Sequence, residues 1–129
     1  MEIVEAPDVA KILTVVVGNT PFDNVDPHRV YCVRSYKATS RARARIWSFP
    51  RIWQFALSLQ PRYIIEVLSQ HFDHLSDYDK TRVIIHELMH IPKNFSGALV
   101  PHRSRYHRID RRTVEKLFLL YKESKKTHK

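Results

Sequence analysis

The chain has 129 residues, 43% of them apolar, and a formal net charge of +9. That length suits one domain, residues 1–129, with material for one core. No apolar run approaches the ~20 residues of a membrane span. The two glycines form no phosphate-cradling loop, which argues against ATP or NAD chemistry, and a lone cysteine, Cys32, excludes disulfides and thiolate zinc clusters.

Glu2, Glu5 and Asp8 precede the first apolar stretch. That is the wrong charge for a signal peptide, so a cytoplasmic chain is expected. Apolar positions 9, 10, 12, 13, 15, 16 and 17 suit a helix that opens at Pro7 or Asp8 and stops at Gly18. Strand-type sequence follows as VYCVRSY at 30–36, RIWSF at 45–49 and YIIEVL at 63–68, with a short helix expected over 52–59 between the last two. Ser76 reads as an N-cap, with Asp77 and Asp79 in the first turn of a helix over 77–90 that Pro92 cannot continue. Residues 94–101 read as loop. A last helix from about Asp110 carries Val114, Leu117, Phe118 and Tyr121 on one face. Its Lys-rich end, from about 122, is expected to fray. The order of elements is that of an α+β fold, a small mostly antiparallel or mixed sheet with helices before and after it.

The chemistry concentrates in HELMHIPKNFSGALVPH at 86–102. Residues four apart share a helix face, so His86 and His90 can point at one ion. Without thiolates, that ion would be held by imidazole nitrogen and carboxylate oxygen, and imidazole suits Zn²⁺, one per chain. Zinc lowers the pKa of a bound water towards neutrality, and Glu87 can take its proton and hand it to a leaving amine. A catalytic zinc usually has three protein ligands. Three residues downstream compete for the third place: His102, stiffened by Pro101 and favoured here, His107, and Glu115 on the last helix.

Other residues have two readings each. Arg41, Arg43 and Arg45 alternate with alanines and would share one face of an extended segment, as a solvated strand edge or as a grip on an acidic partner. Trp47 and Trp53 are expected in the core. His71 and His74 belong to a pre-helix loop or a second site. Glu66 would lie on the open face of the sheet or support a ligand histidine. Tyr106 is a candidate oxyanion donor.

The segment HELMHIPKNFSGALVPH resembles a small family of predicted zinc metallopeptidases from archaea and phages, with HELLHIP-like segments, an FSG and a later histidine. SRARARIW at 40–47, YIIEVLSQHFDHLS at 63–76 and RIDRRTVEKL at 108–117 extend the likeness. The resemblance implies a minimal zincin-like fold, with a small sheet packed on the HExxH helix. It also implies His86 and His90 as zinc ligands, Glu87 as general base and a peptide or protein as substrate. More distantly, HExxH followed by a loop histidine resembles the SprT-like proteases that act on DNA-attached protein. This chain lacks their Cys-rich ribbon and their Gly-His-Gly run. The alternative to a peptidase is a nucleic-acid-associated binding protein that meets DNA or another acidic partner through its basic surface, beside a structural or vestigial metal site.

Overall fold

The computed structural model describes residues 1–103 and 108–127. Strand β1 (Glu2–Glu5) leads into helix α1 (Pro7–Gly18), a single 3₁₀ turn (Pro27–Arg29), and strands β2 (Val30–Tyr36) and β3 (Ala44–Trp47). Helix α2 (Arg51–Ala56), strand β4 (Tyr63–Leu68), and helices α3 (Ser69–Phe72), α4 (Asp77–Leu88) and α5 (Arg111–Thr127) complete the order. The architecture is α+β, with a mixed four-stranded sheet, and it fits a small zincin-like fold. No described helix is long and apolar enough to cross a membrane.

The sheet order is β1-β2-β4-β3. β1 and β3 run antiparallel to their neighbours, whereas β2 and β4 pair in parallel from Val30↔Tyr63 to Ser35↔Leu68. The central place of β4 explains its nearly unbroken apolar sequence, since a strand covered on both faces loses the polar alternation of a half-exposed one. Val9, Leu13 and Val16 of α1 meet Tyr63, Ile65 and Val67 of β4 and Ile84, Ile85 and Leu88 of α4 in one core. Val114, Phe118 and Tyr121 of α5 close it.

Two expectations need correction. β1 went unforeseen, because EIVE offers too short a pattern. Its strand character comes from pairing, Glu2↔Tyr36 through Glu5↔Val33. Trp47 and Trp53 are 50% and 58% exposed rather than in the core. Trp47 lies on the face of the edge strand shared with Arg45 and Glu66, where its indole N–H donates to Glu66 at 2.8 Å. Trp53 stands outward on α2, in edge contact with Phe49. Helix α5 runs into the Lys-rich end, as far as Thr127. Lys122 and Lys125 lie over the Tyr78 and Tyr121 rings, and Ser124 donates to Asn19 at 2.8 Å.

Glu66, the one charged residue in β4, is 3% exposed. Burial alone would raise its pKa. The two Arg45 hydrogen bonds of 3.0 Å, the nearby Ser35 hydroxyl and the Trp47 N–H outweigh that and hold it at about 2, against an ordinary 4.5. A carboxyl with a lowered folded-state pKa contributes stability above pH 4.5, and that contribution is lost as pH falls towards 2. The shift corresponds to about 3 kcal/mol. Urea unfolding of the parent should weaken steeply between pH 4.5 and 2, and in Glu66→Gln that part of the slope should vanish. An unchanged slope would remove Glu66 from the acid response.

A candidate metal centre at the open edge of the sheet

Helix α4 starts where Ser76 Oγ accepts the Asp79 N–H at 3.2 Å, with Asp77 and Asp79 in the first turn. One stripe, Thr81, Ile84, Ile85 and Leu88, is buried. The other, Asp79, Arg82, Val83, His86 and His90, keeps the same helical spacing and lines a cleft of about 910 Å³. The helix closes at Leu88, two residues before the expected end. The N–H groups of His90 and Ile91 bond back three residues, to Glu87 and Leu88. Pro92 disfavours helical backbone in the residue before it, so the last turn tightens and His90 is carried in that turn.

The next loop is bound to the same place. Val100 N–H donates to the His90 carbonyl at 2.7 Å, and His90 Nδ1–H donates to the Val100 carbonyl at 2.6 Å. That bond fixes the tautomer and leaves Nε2 of His90 as the lone-pair nitrogen. Tyr63 Oη anchors the loop further up, accepting from Gly97 N–H and donating to the Ala98 carbonyl, both at 2.8 Å. Gln54 reaches across from α2 to the carbonyls of Phe49 and Ser96. Held so, the loop delivers His102 to His86, with their Nε2 atoms 3.1 Å apart.

His86, His90 and His102 each offer a donor atom within 4.8 Å of the others, with ring centroids 4.5–5.3 Å apart. Burial first, and then the neighbouring His90 and His102, lower the His86 pKa to about 4, so its imidazole is neutral at physiological pH. A tetrahedral zinc with bonds of ~2.0–2.1 Å separates its donors by ~3.3 Å, close to the His86–His102 spacing. The chemistry of this donor set therefore suits a divalent metal. Glu87 borders the same cleft at 6% exposure, and burial raises its carboxyl pKa to about 8.

A family model described as "putative phage metallopeptidase" matches residues 1–127. The chain belongs to that family. No curated protein and no solved structure matches it. For a metallopeptidase, three convergent imidazoles beside a buried carboxyl are the site to examine.

The remaining candidates of the sequence sort clearly. Glu115 lines the cleft but is bound to Arg82 at 2.9 Å, outside the imidazole cluster. His107 and Tyr106 lie outside the described residues. Glu66 is bonded to Arg45 and Trp47 and is not part of the imidazole cluster. His71 sits in α3 and His74 is exposed, and among the described residues neither belongs to a converging group. Cys32 is buried, and desolvation pushes its thiol up to about 12, which leaves it inert. The support given by Tyr63, Gly97 and Gln54 was missed. Gly97 itself, which takes a positive φ, was the one available signal, since a glycine between a metal motif and a later histidine often marks an unusual turn.

Proposed function

We propose that this protein is a zinc peptidase in which His86, His90 and His102 hold the ion and Glu87 is the general base. The convergence of three imidazole nitrogens within 4.8 Å, with the buried Glu87 carboxyl bordering the same cleft, carries that reading. Zinc bound there would supply a Lewis acid for the scissile carbonyl and an acidified water.

The chain's own residues do the rest. Glu87 accepts a proton within a shielded cleft and returns it to the leaving nitrogen. Its raised pKa makes it a stronger base than a surface carboxylate once ionised. The Val100 carbonyl holds the His90 ring in one orientation. β3 is an edge strand whose ladder with β4 is antiparallel, from Ala44↔Val67 to Trp47↔Ile64. The Arg43 carbonyl accepts from Leu68 N–H, which puts positions 43, 45 and 47 in the hydrogen-bonded set. The backbone groups of Ala44 and Ile46 then face outward along the cleft, ready to pair with an extended peptide.

Metal analysis tests the ligand set. The purified parent should carry about one zinc per chain, and the double variant His86→Ala/His90→Ala essentially none. A double variant that retains stoichiometric zinc while folded, as judged by circular dichroism, would refute the assignment.

A further inference from the structure

Arg43, Arg45, Arg82 and Arg111 border the cleft, as do Asp79, Glu87 and Glu115. Two of the four arginines are already satisfied. Arg45 is bonded twice to Glu66 at 3.0 Å. Arg82 holds both Asp79 and Glu115 at 2.9 Å, which also occupies those two acids. Arg43 and Arg111 are exposed and have no acidic partner among the described residues.

Their positions follow from the contacts between helices. Tyr78 of α4 meets Phe118 of α5 with ring centroids 5.4 Å apart, and one turn on, Arg82 meets Glu115. The two helices therefore run antiparallel. The next turn up α4 reaches His86, and the next turn down α5 reaches Arg111, its first residue. Arg111 stands level with the imidazole cluster on the helix wall. Alternation along β3 puts the Arg43 side chain with Arg45 and Trp47, on the sheet face opposite Ala44 and Ile46. Small or apolar residues, Ala44, Ile46, Val83, Leu99 and Val114 among them, line the cleft beside its charged ones.

We propose that the cleft selects substrates through a carboxylate beside the scissile bond, gripped by Arg111 from the helix wall. The proposal rests on the peptidase reading for its substrate. A guanidinium pairs with a carboxylate through two parallel hydrogen bonds. The carboxylate can belong to an internal acidic side chain or to a peptide C-terminus, and both present the same fork-shaped acceptor.

Binding to the zinc-loaded Glu87→Gln variant separates these sources. Four fluorescent peptides of one neutral sequence suffice: a central Glu with an amidated end, a central Gln with an amidated end, a central Gln with a free C-terminal carboxylate, and a central Lys with an amidated end. One of the two carboxylate peptides should bind about tenfold tighter than the neutral one, with the advantage shrinking as salt rises. Whichever does so names the source. Adding Arg111→Glu should turn the preference towards the Lys peptide, and the milder Arg111→Gln should level it. Equal binding of all four, no binding of any, or a preference untouched by both Arg111 changes would overturn the proposal. Cleavage by the parent is read separately. A parent that binds carboxylate peptides selectively yet cuts none of the four nor an unstructured protein such as casein would count against the peptidase reading and leave the charge selection standing.

Discussion

The Glu87→Gln variant should still hold about one zinc per chain, yet hydrolyse peptides at least ~1,000-fold more slowly than the parent. Glutamine keeps the shape of the side chain and cannot accept the proton. No ligand atom is removed, because the three imidazoles converge without help from Glu87. The same exchange should not cost stability. Burial raises the folded-state carboxyl to about 8, above its ordinary 4.5. Ionising it in the folded chain is therefore unfavourable, and the metal-free parent should lose stability as pH climbs from 4.5 to 8. The variant, with nothing to ionise, should melt at the same temperature or higher at pH 8. Equal activity in parent and variant would mean that another group takes the proton. Lost metal would mean that Glu87 is a ligand.

The elements with strong local signals were legible in the sequence. YIIEVL and VYCVRSY are strands because β-branched and aromatic side chains fill a central sheet, and both were read with their observed bounds. Ser76 announced α4 through its cap, and Pro92 announced the end of that helix. The HExxH spacing places His86 and His90 a turn apart on any helix, so the first two members of the cluster needed no tertiary information. His102 did. Twelve residues of chain can go in many directions, and the Tyr63 hydroxyl and Val100 backbone that steer this one come from distant or featureless sequence. The pairing of Arg82 with Glu115 was equally invisible, because it depends on how α5 crosses α4. The exposure of Trp47 has the same origin: an indole looks like core until the strand that bears it turns out to be an edge.

That dependence on loop geometry makes Gly97 the most sensitive backbone position near the site. Its φ is +92°, a region that L-residues rarely adopt. A Cβ there would press onto Gln54 Nε2 and come within 2.5 Å of the Phe49 carbonyl oxygen. The amide could swing away, but the carbonyl is backbone, and Phe49 N–H also bonds the Gly97 carbonyl at 3.3 Å. Gly97→Ala therefore carries both torsional strain and a clash that only loop movement can relieve. It should destabilise the fold by about 3 kcal/mol, enough to lower Tm by about 10 °C. Movement of this loop carries His102 with it, so zinc affinity should fall by about tenfold or more, as when groups that orient a ligand are lost. Gly18→Ala is the matched control. A Cβ at Gly18 meets nothing within 4 Å, at the last residue of α1, so that change should be neutral or stabilise by about 0.5 kcal/mol with zinc binding untouched. Equal melting and metal titration curves for the two alanine variants would show that the 97–102 loop does not set the position of the third imidazole.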